Sequence, residues 1–357
     1  MDVKVTLLPQ DQLKPLYDDP LKLKFGQNFT DYMFTVIHDA GKGWHSAEIK
    51  PYQALQLDPA ASVFHYGQEI FEGQKAYKSA KGDILLFRPE ENAKRFNRSM
   101  KRMSMPEFPV EDFIAIEEKL LKLEERWIPQ QKGAALYLRP TGIAIEPALG
   151  VRPANQYMFF IILSPVGPYY STGFNPVSLY VCTDFSRAGE GGTGAAKAGG
   201  NYGGSLAGTC TALNKGYNQV LWLDAKEHRY VEEVGAMNIF FVMDNKLVTP
   251  PLGGTILPGI TRQSLLELAS GLGIEPVERR LTIEEVIESI QSGKVTEVFG
   301  AGTAAVVSPV GKICYNEKDY VINNNVTGPW AQKFFDTLTG IQYGELEDKH
   351  NWVHVVK

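Results

Sequence analysis

Along the first half of the chain, stretches with apolar residues at every second position alternate with stretches where they recur every three or four positions. The first pattern predicts strands and the second predicts helices. Strands are expected near Met33–His38 and across Phe71–Tyr77, where Phe71, Gly73, Lys75 and Tyr77 share a face. Asp83–Phe87 is another strand, reached through a hairpin turn at Lys81 and Gly82. Pro89 opens a helix with Glu90 and Glu91 in its first turn, where they complement the dipole, and with Ala93, Phe96, Met100 and Met103 facing inward. The same helix carries Lys94, Arg95, Arg98, Lys101 and Arg102, which together read as a solvated basic face. A second helix, Val110–Trp127, has a stripe of Phe113, Ile116, Leu120, Leu123 and Trp127. Ala134–Pro140 alternates strictly, with Leu136 and Leu138 on one side and Tyr137 and Arg139 on the other. Tyr157–Leu163 reads as a buried strand.

Pro165–Pro176 is rich in Pro, Gly and Ser and reads as a linker. Beyond it strands are expected at Val177–Cys182, Gln219–Leu223, Asn238–Met243, Lys246–Thr249 and Val295–Phe299. Helices are expected at Ser205–Gly216, from Ile260 to Gly271 or Gly273, and after Thr282, whose hydroxyl with Glu285 forms a capping box. The pattern is mixed α+β. It divides the chain into residues 1–166, a linker at 167–176, and residues 177–357.

Composition narrows the class. The 357 residues suffice for two domains, and 44% hydrophobic with 22% charged content is ordinary for a globular protein. A net charge of -5 speaks against a general nucleic-acid or membrane-surface binder. Cys182, Cys210 and Cys314 are widely spaced and form no CxxC, so neither a disulfide framework nor a metal site is expected. The N-terminal residues show no signal or transit pattern, and a reducing, cytoplasmic setting is expected.

The stretch with the most chemistry is Gly189–Gly204, GEGGTGAAKAGGNYGG, with Lys197 among alanines and glycines. Lys197 reads in two ways. It is the end of a flexible glycine loop pointing into water, or it is a lysine stripped of hydration and available as a nucleophile or Schiff-base former. A phosphate-cradling P-loop does not fit, because Ala196 and Ala198 flank the lysine. Gly259-Ile260-Thr261 at a helix start and Gly300-Ala301-Gly302-Thr303 after a strand present backbone amides suited to an anion. Glu232-Glu233 leads into an apolar strand, where a carboxylate is costly unless it holds a proton or a cation; the other reading is a turn with solvated carboxylates. Arg139 beside Tyr137 is either a carboxylate clamp or a surface arginine. A lysine amine, anion-binding amides, an arginine and an acid are together what pyridoxal phosphate needs.

Several segments, in order and covering nearly all of the chain, resemble the branched-chain amino acid aminotransferases, pyridoxal 5'-phosphate (PLP) enzymes of fold type IV. They are HYGQEIFEGQKAY, LFRPEENAKRF, LYLRP, GTGAAKAGGNYGGSL, QVLWLDAKEHRYVEEVGAMNIFF, TPPLGGTILPGITRQS and EVFGAGTAAVVSPV. The resemblance implies an α/β fold of two domains, the N-terminal one smaller and the C-terminal one larger and carrying the Schiff-base lysine. It also implies a homodimer with PLP between the domains. By motif, Lys197 resembles the Schiff-base lysine, Glu233 the acid on the pyridine nitrogen and Arg95 the phosphate arginine, against the solvated-face reading of its helix. Ile260, Thr261 and Thr303 resemble further phosphate ligands, and Tyr202 the contact to the ring oxygen. The substrate pocket resembles Phe25, Tyr66, Phe71, Tyr137 and Tyr169, with Arg139 and Lys75 near its mouth, and the backbone of Thr303 and Ala304 takes the α-carboxylate. Two departures stand out: Ala305 and Ser308 occupy the places of a CxxC pair found in some relatives, and Ala236 replaces a threonine.

The expected reaction is reversible amino transfer between leucine, isoleucine or valine and 2-oxoglutarate, giving the branched 2-oxo acid and glutamate. Partners are therefore small amino and 2-oxo acids, with neither nucleic acid nor membrane. A rival within the fold is a D-amino acid aminotransferase or aminodeoxychorismate lyase, against which the aromatic pocket with Arg139 argues. Outside the class are a cofactor-free Schiff-base aldolase, which leaves Glu233 and Arg95 without work, and a non-catalytic phosphate binder.

Overall fold

The computed structural model describes residues 1–169 and 173–357. The expected linker at 167–176 includes residues 170–172, which lie outside the described residues. The chain forms two compact units. Unit 1 is residues 1–169, 196–199 and 340–357, and unit 2 is residues 170–195 and 200–339.

Unit 1 is built on a nine-stranded sheet. Its strands are β1 (Lys4–Val5), β2 (Tyr32–Asp39), β3 (Gly43–Pro51), β4 (Glu69–Phe71), β5 (Gln74–Lys78), β6 (Ile84–Phe87), β7 (Ala135–Ala144), β8 (Gln156–Val166) and a closing C-terminal strand, Val353–Val355. The order is β1-β3-β2-β8-β7-β5-β6 and then the closing strand, with β4 also on β7. A short helix, α1 (Ser62–Tyr66), precedes β4, and α2 (Pro89–Arg102) and α3 (Val110–Leu123) pack on the sheet. The core follows from the alternation in β8. Tyr157, Phe159, Ile161 and Leu163 are all buried, and the Phe159 ring centroid lies 4.8 Å from Phe96 of α2 and 5.5 Å from Phe113 of α3. The helix expected to run to Trp127 ends at Leu123, and a 3-10 turn, Glu125–Trp127, carries the indole inward.

Unit 2 holds a second nine-stranded sheet: β9 (Val177–Cys182), β10 (Gln219–Leu223), β11 (Val231–Val234), β12 (Met237–Met243), β13 (Lys246–Thr249), β14 (Glu275–Glu278), β15 (Val295–Gly302), β16 (Val306–Tyr315) and β17 (Lys318–Val321). The path β11-β10-β9-β16-β15-β12 is closed by pairing of β11 with β12, so these strands form a ring. Closure leaves fewer strand edges to protect. The helices are α4 (Gly199–Asn214), α5 (Ile260–Leu272), α6 (Ile283–Gln291) and α7 (Pro329–Gln342). Thr282 caps α6 by accepting from the Glu285 N–H. The expected return half of that box is absent, because the Glu285 carboxylate pairs with Arg279 at 2.6 Å.

Three further features depart from the sequence expectation, the first being that residues 340–357, expected with the C-terminal half, belong to unit 1. Residues 196–199, expected with the C-terminal half, cluster with unit 1, because Ala196 and Ala198 are buried in its core and Ala198 bridges Ile70 of β4. Helix α4 begins at Gly199 rather than Ser205. Glycine disfavours a helix by about 1 kcal/mol, yet a Cβ at Gly199 would fall 1.8 Å from Glu69 Oε1, so the bare backbone is what fits.

Candidate functional site

In unit 1 the local structure around Lys197 is set by backbone bonds. Its N–H donates to Ser99 Oγ of α2 at 2.9 Å, and its carbonyl accepts from the Phe71 N–H at 2.9 Å. These two bonds aim the side chain between β4 and α2, with Nζ 4.7 Å from the Phe71 ring centroid. The amine's surroundings are therefore not only the small residues of its own segment: an aromatic face and the charge of Glu72 bear on it as well.

Arg95 is the one buried cation among the five of α2; Lys94, Arg98, Lys101 and Arg102 are exposed, as a solvated face requires. Its Nε and Nη2 donate to Glu72 Oε1 and Oε2 at 2.7 and 2.8 Å. Glu72 is fully buried and also accepts from Asn92 Nδ2 at 2.9 Å. Burial pushes the Glu72 carboxyl up, but Arg95, Lys197 and Asn92 more than offset this and hold it below the usual range. Glu117 lies beyond it, pushed well above the usual range by burial and by the Glu72 charge, with Gln74 donating to it.

Most of the expected substrate pocket forms one connected group in unit 1. Phe25 packs edge-on to Tyr137 at 4.8 Å and to Tyr169 at 5.7 Å. Arg139 shares the β7 face of Tyr137, donates to its hydroxyl at 3.2 Å, and lies 4.7 Å from the Phe71 ring centroid. Lys75 stands opposite Tyr137 in the β5–β7 register, and burial lowers its ammonium to about 8. The phenol of Tyr137 lies so close to Gly73 that a Cβ there would meet its oxygen at 1.9 Å. Tyr66 is placed differently: it sits exposed on α1, and its hydroxyl donates to the Leu149 carbonyl.

Unit 2 gathers the remaining expected residues. Glu233 of β11 is 3% exposed and forms an ion pair with Arg187. Its Oε1 accepts from Asn238 Nδ2 at 3.0 Å and from the Leu257 N–H at 3.3 Å. A small pocket is lined by Arg187, Tyr202, Ser205, Glu233, Ala236 and Leu257, among others, which brings Tyr202 and the acid together. Ile260 and Thr261 are buried in the first turn of α5, and the preceding Gly259 has no side-chain cap. Free N–H groups at such an end suit an anion. Thr303 and Ala304 lie partly buried in the turn joining β15 to β16, which ends at Val306 with φ 62°. A left-handed β-branched residue is strained, and such strain gathers at ligand-holding turns. Glu232, the neighbour of Glu233, points elsewhere: it accepts from the Thr255 hydroxyl and lines a separate cavity of about 490 Å³ with Asp224, Tyr230 and Arg280. None of the residues expected in the site lines that cavity.

Four residues in these groups were not anticipated. Glu72 lies within a quoted motif and Ser99 three residues beyond another, neither with a signal of its own, and Arg187 is a lone arginine ahead of the glycine stretch. Arg187 donates to the carbonyls of Gly194 and Thr255 as well as pairing with Glu233, so it ties three segments together. Asn238 joins Glu233 to the Leu257 carbonyl at the approach to α5. Its visible signal was a polar residue opening an apolar strand.

The family model for amino-transferase class IV matches residues 69–313. The chain belongs to that family. A probable branched-chain-amino-acid aminotransferase of Staphylococcus aureus (strain MRSA252) is 50% identical over 355 residues, covering 99% of this chain and 98% of that protein. Among solved structures, the branched-chain amino acid aminotransferase of Escherichia coli superposes with a TM-score of 0.78 at 27% identity, over 92% of this chain and 99% of that one. A branched-chain amino acid aminotransferase from T.th., solved with pyridoxamine 5'-phosphate, gives 0.75 at 27% identity, over 90% and 98%. In this class IV aminotransferase the matched span takes in Phe71, Lys75, Arg95, Tyr137, Arg139, Lys197, Tyr202, Glu233, Ile260, Thr261, Thr303 and Ala304.

Proposed function

We propose that this chain is a branched-chain amino acid aminotransferase that uses PLP to move amino groups reversibly between leucine, isoleucine or valine and 2-oxoglutarate. The observation that carries the reading is the setting of Lys197: its amine stands over Phe71, and Phe71 also receives the guanidinium of Arg139. A lysine amine is thus joined through one ring to an aromatic group that carries Arg139 and Lys75. The donor set fits PLP, and the bare α-carbon of Gly259 leaves the space that Asn238 occupies beside Glu233. Bound PLP supplies an aldehyde carbon for an amine and a pyridine ring that takes up electrons from the substrate's α-carbon.

The chain's own residues do the rest. Lys197 would hold the coenzyme at that aldehyde carbon, the carbonyl oxygen leaving as water, and its amine would take and return the proton at the substrate's α-carbon. Arg95, the first-turn amides at Ile260 and Thr261, and the hydroxyls of Thr261 and Thr303 would hold the phosphate. Glu233, its carboxylate fixed by Arg187 and Asn238, would serve as the acid partner of the pyridine nitrogen. Tyr202 would donate to the ring oxygen, and the amides of Thr303 and Ala304 would take the α-carboxylate. Phe25, Phe71, Tyr137 and Tyr169 wall the branched side chain, with Tyr66 as a further wall. Arg139, with the Tyr137 hydroxyl and Lys75 close by, receives the second carboxylate of glutamate.

The chain is further read as a cytoplasmic homodimer. In unit 1 Phe64, Tyr66, Leu149 and Val151 are exposed, and the Tyr66–Leu149 bond joins their two segments, so an apolar surface is available for a second copy. No helix is long and apolar enough to cross a membrane, and no cluster of possible metal ligands occurs among the described residues.

The test is direct. Purified protein incubated with PLP is expected to show a visible absorbance band, and borohydride reduction is expected to fix the coenzyme on Lys197. An amino-donor panel against 2-oxoglutarate is expected to favour leucine, isoleucine and valine over D-alanine. Lys197→Ala should lose at least roughly 10³-fold in turnover. Protein that stays colourless and inert with excess PLP, or a Lys197→Ala variant with full leucine activity, removes the reading.

A further inference from the structure

Burying a carboxylate is costly unless cations and hydrogen bonds compensate it. Glu72 is fully buried in unit 1, and its carboxylate is held by Arg95 and Asn92 of α2 and by the Gly73 N–H. It lies in the break between β4 and β5, where its N–H donates to the Pro140 carbonyl at 2.7 Å and its side chain turns toward α2. There Arg95 takes it with two parallel bonds of 2.7 and 2.8 Å, the fork geometry that fixes a guanidinium in orientation as well as place. Asn92, one turn before Arg95 on the same face, binds Oε2 at 2.9 Å and so holds the carboxylate against rotation. One residue back, Phe71 shares a backbone hydrogen bond with Lys197, so the strand that leads to Glu72 also sets the lysine's backbone. Glu72 and Arg95 form a buried ion pair, and Glu117 behind them has its carboxyl pushed well above the usual range by burial and by the Glu72 charge.

We propose that Glu72 is a positioning residue of the cofactor site, orienting the Arg95 guanidinium for the phosphate. This rests on the PLP reading. It gives a buried acid a role that touches neither substrate nor cofactor: Arg95 does the binding, and Glu72 decides where its guanidinium stands.

The experiment compares wild-type holoenzyme with Glu72→Gln and Glu72→Asp, each dialysed to equilibrium against a PLP series, with apoprotein melting followed in parallel. Glu72→Gln keeps the shape and removes the charge, and should weaken PLP binding by about tenfold or more, the range seen when a supporting partner of a ligating residue is lost. Glu72→Asp keeps the charge but cannot reach both guanidinium nitrogens, and should fall between the two. KM for leucine should stay within about twofold in both, since neither change touches the aromatic group. A folded Glu72→Gln with wild-type PLP affinity overturns the proposal while leaving the PLP reading intact. If Glu72→Gln does not fold, Glu72→Asp decides: wild-type affinity overturns the proposal and weakened affinity at an unchanged melting temperature supports it. Wild-type protein that binds no PLP removes the reading and the proposal together.

Discussion

The two units furnish their shares of the proposed site by opposite means. Unit 1 works with charged side chains: Arg95 buried on Glu72, and the half-buried Lys197 and Arg139 on aromatic rings. Unit 2 relies on main chain and small residues: the first turn of α5 behind Gly259, the strained turn ending at Val306, and one acid, Glu233, fixed by Arg187 and Asn238. A site of the first kind fails when charge balance is disturbed at constant shape. A site of the second kind fails when shape is disturbed at constant charge. The same type of substitution should therefore have different consequences in the two units.

Gly259→Ala is the largest such effect expected in unit 2. The added Cβ would sit 2.0 Å from Asn238 Oδ1, and Asn238 is already tied to Glu233 and to the Leu257 carbonyl. Overpacking of this kind costs about 1–3 kcal/mol, and relief requires Asn238 to let go of the acid. Both the melting temperature and PLP affinity should fall. A variant that loses stability alone would show that Asn238 does not support Glu233.

A smaller and purely electrostatic effect is expected in unit 1. Glu124 is buried and accepts from the Tyr32 N–H, and burial raises its carboxyl to about 7. In the unfolded chain it ionises near 4.5, so between about 4.5 and 7 the folded state holds a proton that the unfolded state has released. Stability from this group is present below that window and is lost as pH rises through it, by at most about 3 kcal/mol. Glu124→Gln should remove this slope and be the more stable protein at pH 8. Equal stability at pH 8, measured by urea unfolding, would mean that Glu124 ionises in the folded state as it does in the unfolded one. Glu117 in unit 1 and Glu232 in unit 2 are shifted in the same direction, so the Glu124→Gln protein is expected to keep the part of the slope that they contribute.

The same contrast governs what could be read beforehand. Elements set by local pattern were readable: Val177–Cys182, Gln219–Leu223 and Lys246–Thr249 coincide with β9, β10 and β13, and Pro89 opens α2. The shape of the unit 2 site was partly readable too, because glycines at a helix start and after a strand announce close backbone approach. The unit 1 site was not readable from pattern alone. Hydropathy marks Arg95 as one of five equivalent cations on α2, and only its tertiary pairing with Glu72, 23 positions earlier, distinguishes it. The start of α4 was missed for the converse reason: propensity argued correctly that glycine is a poor helix former, and of Gly199, Gly200, Gly203 and Gly204 only Gly199 is required by close packing, against Glu69. Arg187 was missed because its three partners, Gly194, Glu233 and Thr255, come from three segments that no local signal connects.

The finest test of the comparison is Arg139, where a charge from unit 1 is asked to serve two substrates of different polarity. Its guanidinium spreads over Phe71 at 4.7 Å and over Tyr137 at 5.3 Å, and one nitrogen donates to the Tyr137 hydroxyl. Stacked in this way it presents an apolar face to a branched side chain while keeping N–H groups for a carboxylate. Arg139→Met keeps much of the covering surface and deletes the donors. Leucine turnover should then change by no more than about threefold. For glutamate, kcat/KM should fall by roughly tenfold or more, since a charge-assisted bond of about 1.5–3 kcal/mol is lost from one substrate and not the other. Equal losses for both would show that Arg139 only braces the rings. A loss confined to leucine would invert the assignment and hand the second carboxylate to Lys75, whose burial-lowered ammonium, near 8, would then draw glutamate turnover down as pH rises past that value.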